Sequence, residues 1–510
     1  MSNNNNSISQ LRAAWSLVIQ RVSVNRVEIW VGNLFADMVI PTDARLILKH
    51  HGQLVCVQPI MPVDWMKPFS SVKQGFYTVR VFDALLPREH YQLELHIRLR
   101  ASDDEMLIAT GEFDCLPTSV PIQGERPFTI ALGSCFSNQG DDGQVSATFR
   151  ALYQRPEWRP DATFLTGDQV YLDRGFDSLN PISAMIRKRI ADDYASQWQG
   201  LAGIFRAGAT WMLPDDHEYW NDYPFNDQPI LALHALRLGF VKRSWHRAAR
   251  EGVENVQRSQ LLEIINIGDD LSICLADLRS ARTTNGFLPE ASFAELTDWA
   301  RQLRCPGVLV LSQIVIDRQP MGERNLLSFR AQYIALLEAL ADSGNDIVVL
   351  SGDVHFGRIA QVKLGNKGAR LIEVIASPLS NLSGYLNGFA TAVAEHTPEF
   401  FPDPSTITVP VWQPAKVQYD SAFNVPHLPG KRFSLQPLAR TREHFMTIGF
   451  TKNETGQVQL QVQAWGVRDN KGQPEPLFKE SFRAVLGSMR KTSAMEKYLN
   501  EATLELAEPV

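Results

Sequence analysis

The 510-residue sequence predicts an α/β fold built on parallel strands, with an all-β sandwich ahead of it. Three observations predict this: short β-rich runs between Arg26 and Cys115, strand and helix patterns that alternate from Phe128 to His355, and a return to strand patterns after Arg358. Such a length exceeds what one hydrophobic core usually organises, so two units are expected.

Residues 1–24, which begin MSNNNNSISQ, predict a disordered start or extension. They lack the charged start, continuous apolar core and cleavage site of a secretory leader. From 25 to 120, VEIWVG, ARLILKHH, FYTVRVF, YQLELHIRLR and MLIATGEFDC read as strands separated by Pro, Gly and Asp clusters. In YQLELHIRLR, Leu93, Leu95, Ile97 and Leu99 alternate onto one face, as in a half-buried strand. A β-sandwich domain over 25–120 follows. The larger unit spans 121–490. Its predicted strands FTIALGSC, ATFLTGD, TWMLPDDHE, LSICLADLR, GVLVLSQI and IVVLSGDVH alternate with helical stretches, including one predicted helix over PILALHALRLGFVKRSWHRAAR. Parallel pairing with helices on both faces of the sheet is expected. RIAQVKL, RLIEVIAS, HFMTIGFT, QVQLQVQAWGV and LFKESFRAV predict a further sheet layered on the first. Residues 379–440, rich in Pro, Asn and Ser, predict a long loop or lid, and 491–510 a C-terminal tail.

Composition narrows the function. With 50 basic against 56 acidic residues and no dense Lys/Arg run, the chain shows no footprint for nucleic acid. Nor does it hold the roughly 18 uninterrupted apolar residues of a membrane span. Five scattered cysteines (Cys56, Cys115, Cys135, Cys274, Cys305) without CxxC spacing fit a reducing compartment, and the cytoplasm is the expected location. The GxSxG elbow, HExxH and GxxxxGK[ST] are all absent. His234 and His246 fall in a helical stretch, where surface or core roles are expected.

In an open parallel sheet, ligands bind beyond the carboxyl ends of the strands. There the sequence places Cys135; Asp168 and Tyr171; Asp215, Asp216, His217 and Glu218; Asp277, Arg279 and Arg282; Gln313; and Asp353 and His355. Singly, an Asp after a strand is a turn former or helix cap, and a lone Cys a small apolar filler. Random turn chemistry would scatter Ser, Asn and Gly instead, whereas metal-ligand types follow nearly every strand. Two cations are the natural way to hold several carboxylates together.

GSC, GDQVY, DDHE and SGDVHFG, in this order at strand ends, resemble the motif set of the calcineurin-like metallophosphoesterases, in particular the alkaline phosphatase D (PhoD-like) branch. The resemblance covers roughly residues 125–380, and the preceding β-sandwich also matches that branch. It implies a layered α/β/β/α sandwich and a dinuclear site, with Cys135 where most of the wider family has an Asp-x-His pair. Asp168 is implied as the carboxylate shared by both metals, with Cys135, Tyr171 and His355 completing the first ion's ligands. Asp216 and Asp353 are implied to hold the second. His217 is implied as proton donor to the leaving group, and Arg279 or Arg282 as the grip on phosphate. The wider family's additional mid-chain His has no counterpart, since that strand ends in Gln313.

A phenol and a thiolate together suggest ferric iron, and the Asp-rich second site a hard ion such as calcium, magnesium or manganese; zinc is an alternative. In the Asp215 to Glu218 cluster, Asp216 is expected to bind metal, His217 to donate a proton, and Asp215 or Glu218 to orient the imidazole. Gln313 joins Asp215 and Glu218 behind the ligands. The expected activity is hydrolysis of phosphomonoesters, phosphodiesters or both, on a small phosphate-ester substrate. Alternatives are a cyclic-nucleotide or phospholipid diesterase, with exposed aromatics around Trp220 and Tyr223 packing on the substrate, and a degenerate binding scaffold.

Overall fold

The computed structural model describes residues 9–36, 38–70, 74–174, 180–227, 231–318, 324–380, 397–410, 412–429, 439–468 and 472–488. Two large sheets organise them. The first has ten strands, in the order β24 (Glu475–Pro476), β23 (Val458–Gly466), β22 (His444–Lys452), β8 (Phe128–Gly133), β9 (Ala162–Thr166), β10 (Ala209–Leu213), β1 (Trp15–Gln20), β2 (Val27–Asn33) and β5 (Phe76–Phe82), with β25 (Phe482–Val485) also pairing with β23. Within it β8, β9, β10 and β1 run parallel. The second has seven, in the order β11 (Leu262–Ile267), β12 (Leu271–Ala276), β13 (Gly307–Val310), β14 (Ile347–Ser351), β16 (Ala369–Ile375), β15 (Arg358–Leu364) and β19 (Gln418–Asn424). Here β12, β13, β14 and β16 are parallel. A four-stranded antiparallel sheet holds β4 (Gln53–Ile60), β3 (Asp43–His50), β6 (His90–Arg98) and β7 (Met106–Asp114). Two short pairs, β17 (Phe400–Phe401) with β18 (Ala415–Lys416) and β20 (His427–Leu428) with β21 (Arg440–Thr441), complete the strands.

Packing follows from which faces are apolar. One core cluster joins Ile130, Leu132, Phe164 and Trp211 of the ten-stranded sheet to Ile273, Leu275, Val308, Val310, Leu350 and Val374 of the seven-stranded one, so these faces meet. On the outer face of the ten-stranded sheet, Ala131, Leu165 and Met212 pack under α1 (Gln144–Tyr153), α2 (Ser183–Gly200) and α3 (Gly239–Glu251). The α2 contacts come from Ile186, Ile190, Tyr194 and Trp198, at the four-residue spacing of one helix stripe. The seven-stranded sheet is covered on its outer face by α4 (Glu290–Gln302) and α5 (Arg330–Asp342) through Leu296, Ala300, Leu336, Leu337 and Leu340. Strands covered on both faces read as unbroken apolar runs, as FTIALG and IVVLS do, with all their residues buried.

Several expectations change. The parallel strands divide between two sheets, so helices cover one face of each instead of both faces of one. Residues 358–375 join the seven-stranded sheet, and 444–466 the ten-stranded one, so neither forms a sheet of its own. A self-contained sandwich over 25–120 is not formed: β2 and β5 extend the ten-stranded sheet, and the four-stranded sheet packs on it through Leu46, Leu48, Leu93 and Leu95 against Leu17, Ile19 and Ile29. Of the start expected to be disordered, residues 1–8 lie outside the described residues, whereas WSLVIQ (15–20) is a fully buried strand. The helix expected over 229–250 is a 3₁₀ segment, Leu231–Arg237, that breaks at Leu238, whose ψ of 113° is extended, before α3 begins. Within 379–440, β19 adds to a sheet edge, so that stretch is not wholly loop. The lid expectation falls largely on 381–396 and 430–438, and the tail expectation on 489–510, outside the described residues. Among the described residues no helix is long and apolar enough to cross a membrane.

One polar cluster pins the four-stranded sheet to the larger unit. His90 Nδ1 lies 2.7 Å from Asp114 Oδ1, and Arg126 bonds Asp114 and Asp161, each at 2.7 Å. Hydrogen bonds to Asp114 and then Glu112 push the His90 pKa up to about 9 from 6.5. A folded-state value above the unfolded one contributes stability that is full below 6.5 and fades as pH rises to about 9. The melting-temperature gap between the protein and His90→Asn is therefore expected to shrink over that interval in a thermal melt series; a constant gap would mean that His90 does not carry the charge.

Candidate metal centre

The motif residues sit where their strands end, and their side chains meet. Cys135 follows β8, Asp168 follows β9, Asp215 to Glu218 follow β10, and Asp353 and His355 follow β14. Three overlapping trios each bring ligand atoms within 4.8 Å of one another: Cys135, Asp168 and His355; Asp168, Asp216 and His217; and Asp215, Asp216 and Asp353. Asp168 and Asp216 each belong to two of them. Tyr171 is buried beside this group, its ring 4.5 Å from that of His217 and the Arg174 guanidinium 3.8 Å above it.

Local backbone geometry makes the convergence possible. Cys135, Asp168, Asp353 and His355 all adopt left-handed φ values, between 56° and 68°. Non-glycine residues rarely do so, and such strain clusters at functional sites because the surroundings must hold it in place. Those surroundings are visible. The amides of Cys135 and Phe136 donate to the carbonyls of Gly167 and Asp168, tying the first two loops together. Ser134 and Ser377 hydroxyls accept the amides of Asp353 and His355 at 3.2 and 3.0 Å. Gly167 has φ +99°, and a Cβ there would come within 2.6 Å of Asp215 Cβ, so this turn requires glycine.

Glu218 organises the centre without belonging to any trio. Its buried carboxylate accepts the backbone amides of Asp168, Gln169, Val170 and Asp215, and the Gln257 side chain at 3.1 Å. It does not orient the imidazole, and neither does Asp215: His217 Nδ1 lies 2.7 Å from Asp173 Oδ1. Asp173 also accepts the Asn221 amide at 2.7 Å, which locks the loop after β9 to the one after β10. Sequence reasoning missed Asp173, and its only signal was membership of the same loop as Asp168 and Tyr171. Burial opposes charge on His217, yet the carboxylates of Asp173, Asp168 and Asp216 outweigh it and raise its pKa well above the usual value. The side chain remains 19 % exposed, enough to meet a solute.

Arg279 and Arg282 are both engaged by protein groups. Arg279 is 1 % exposed; its Nε donates to Asp215 Oδ1 at 2.7 Å and a terminal nitrogen to the Tyr223 carbonyl at 2.9 Å. Arg282 donates to Gln313 Oε1 at 2.6 Å and to the Leu278 carbonyl, and its guanidinium stands 5.1 Å over Phe329. Gln313 therefore meets an arginine and not the acidic group. Asp277, the remaining strand-end carboxylate, caps its own turn through Arg279 and Ser280 amides. Breaking one partner of a buried ion pair costs about 3–5 kcal/mol, so Arg279→Gln is expected to lower thermal stability strongly. An unchanged melting temperature with a raised KM would instead mark the guanidinium as a substrate contact.

Trp220 and Tyr223 are buried, not exposed. Trp220 donates to the Phe225 carbonyl, and Tyr223 stacks on Tyr219 at 4.3 Å and bonds His246 at 3.0 Å. Their apolar surface faces the helical layer, so substrate stacking is not what they do. His246 is half-buried beside Tyr219 and Tyr223, and His234 is exposed.

The donor set calls for cations. Asp168 is 1 % exposed, and its Oδ1 has no hydrogen-bond partner; Asp215 Oδ2 is likewise buried without one. Burial, with Asp216 and Asp215 adding repulsion against the attraction of His217, pushes Asp168 up to about 7. Burial and the same neighbours raise Asp353 well above the carboxylate range. Buried oxygens of this kind are satisfied by protons or metals. A thiol, an imidazole, a phenol and several carboxylates gathered at these strand ends form a candidate metal-ligand set, and the residues present fit a bound cation.

Fold and site together define the class: a PhoD-like α/β fold with candidate metal-binding groups. A solved structure of PhoD superposes with a TM-score of 0.61, covering 94 % of this chain and 92 % of its own, at 14 % sequence identity. Bacteroides uniformis beta-glucuronidase 2 aligns at a TM-score of 0.25 and 8 % identity over 92 % of this chain and 61 % of its own, too low to bear on the fold. No protein-family model and no curated protein matches the chain.

Proposed function

We propose that this chain is a metal-dependent phosphoesterase, alkaline phosphatase D-like, that hydrolyses phosphomonoesters, phosphodiesters or both at a dinuclear site in a layered α/β/β/α domain. What carries the reading is the overlap of three ligand trios, Cys135 with Asp168 and His355, Asp168 with Asp216 and His217, and Asp216 with Asp215 and Asp353, with Asp168 Oδ1 and Asp215 Oδ2 buried and unpartnered. Asp168 is the shared carboxylate, Cys135, Tyr171 and His355 complete one ion's ligands, and Asp216 and Asp353 hold the other. The Asp215 oxygen left over from its pairing with Arg279 joins the second set. When bound, such ions activate solvent at neutral pH and neutralise charge on the phosphoryl group.

The remaining chemistry belongs to the side chains. Burial pushes both the Cys135 thiol and the Tyr171 phenol far up in pKa, so a strongly Lewis-acidic ion such as ferric iron suits that pair. The all-carboxylate trio suits a hard ion, with calcium first and magnesium or manganese as alternatives; zinc is the alternative for either position. His217, its Nδ1 engaged by Asp173, keeps Nε2 for the proton that the leaving oxygen takes. Such a dyad favours an active enzyme over a degenerate scaffold, in which a held proton donor serves no purpose. With Trp220 and Tyr223 buried, nothing favours the cyclic-nucleotide or phospholipid diesterase.

Elemental analysis with a panel of mono- and diesters tests this. Expected are about two metal ions per chain, as at other two-metal sites, a visible charge-transfer band bleached in Cys135→Ser, and ester hydrolysis abolished by chelation. Metal-free protein without hydrolysis of any ester would sink the proposal.

A further inference from the structure

We propose a second, separate metal site on the four-stranded sheet, formed by His50, His51 and Glu89 and selective for a borderline divalent cation, zinc above all. The hairpin between β3 and β4 turns at His51 and Gly52, whose φ values of 49° and 76° are both left-handed. A two-residue turn of this kind favours Asn, Asp or Gly at its first position, and histidine is among the side chains that tolerate the left-handed region. In a continuing strand, successive side chains point to opposite faces. The left-handed step at His51 instead swings its ring back over that of His50, with centroids 4.1 Å apart.

Glu89 completes the set from the neighbouring strand connection. β3 pairs with β6 so that His50 faces Tyr91, and the His50 ring stacks on the Tyr91 ring at 4.9 Å, which fixes its direction. The Glu89 backbone is anchored by its amide to Leu86 and by its carbonyl to the Cys115 amide. Both imidazoles then present Nε2 to one carboxylate oxygen: His50 Nε2 is 3.0 Å and His51 Nε2 3.4 Å from Glu89 Oε2. All three ligand atoms lie within 4.8 Å of one another. A tetrahedral zinc ion with bonds of about 2.0–2.1 Å spaces its ligand atoms roughly 3.3 Å apart. These two edges bracket that spacing, and the His51 side chain, 72 % exposed, can close the third by rotating.

Two imidazoles and one carboxylate are a borderline donor set, without the thiolate of the centre at Cys135 and with one oxygen where calcium needs six or more. The fourth position faces solvent. Bound there, zinc ties the tip of the β3–β4 hairpin to the connection before β6, so its effect falls on the four-stranded sheet and not on ester hydrolysis.

Equilibrium dialysis against zinc, with the protein isolated as it folds and its other metals in place, tests the site in three proteins: the parent, His51→Asn and Glu89→Gln. Asparagine tolerates the left-handed turn, so His51→Asn is expected to melt at the parental temperature without added zinc. The parent is expected to retain about one more zinc equivalent than either variant and to melt at a higher temperature in its presence, a rise that both variants lose. Equal zinc retention in all three proteins overturns the site, as does a zinc-induced rise that survives in both variants.

Discussion

Asp168→Asn is expected to lose metal and turnover together, while the metal-free variant melts at a higher temperature than the metal-free parent. The first half follows from position, because Asp168 alone supplies an oxygen to both the thiol-containing trio and the trio with Asp216 and His217. Metal-borne charge stabilisation is worth several kcal/mol in the transition state, and each ~1.4 kcal/mol is tenfold in rate, so activity is expected to fall by more than ~10³-fold. The second half follows from crowding. Asp168 is buried, faces Asp215 and Asp216, and has one oxygen with no partner. A neutral amide relieves that repulsion and costs less to bury. Metal analysis, esterase assay and melts with and without chelator check all three at once. A variant that keeps its metal and its rate would show that Asp168 is an ordinary buried carboxylate, and a metal-free variant that melts lower would show that its charge is balanced within the protein.

That opposition between function and stability explains why some of this architecture was legible in the sequence and some was not. Cys135, Asp168, Asp216, Asp353 and His355 could be picked out because each ends an apolar run, and strand ends in parallel sheets gather at one edge. Their left-handed backbones could not, since they are imposed by hydrogen bonds from Ser134, Ser377 and the loops around them. Alternating strand and helix patterns revealed parallel pairing, but a buried strand reads the same whichever sheet receives it. FTIALG and IVVLS carry no mark that they lie in different sheets, so the division into two sheets stayed hidden. WSLVIQ was lost for a related reason: it follows a polar start and is read with it, yet it adds to the ten-stranded sheet beside β10. The arginines illustrate a different limit. Arg279 and Arg282 follow a strand like ligand-binding residues, and only coordinates reveal that Asp215 and Gln313 engage them. Trp220 and Tyr223 sit in a polar stretch, DDHEYWNDY, and their burial depends on a helical layer more than twenty residues away in the chain, at His246.

His217 and Asp173 form the pair whose substitution separates chemistry from metal binding. His217→Ala is expected to cut turnover by ~10²–10⁴-fold, the span for loss of a general acid, with metal content unchanged. Its place in the trio with Asp168 and Asp216 offers a competing role as a ligand, and metal analysis distinguishes the two, since a ligand's loss empties the site. The hydrogen bond argues for the proton donor. Nδ1 is 2.7 Å from Asp173 Oδ1, the Asp173 carboxylate is 5 % exposed, and the charge it stabilises on the ring is what a donor must carry before it acts. Asp173→Asn then has its own signature. It leaves the imidazole in place but removes the anion that keeps it protonated, so a loss of ~10–100-fold, typical of a residue acting through another, is expected. The loss should be smallest for substrates with a good leaving group such as nitrophenolate, which needs no proton, and largest for alkyl phosphates. An equal loss across that leaving-group series in both variants would assign the pair to holding the loops after β9 and β10 together, through Asn221 and Leu172, and not to proton transfer.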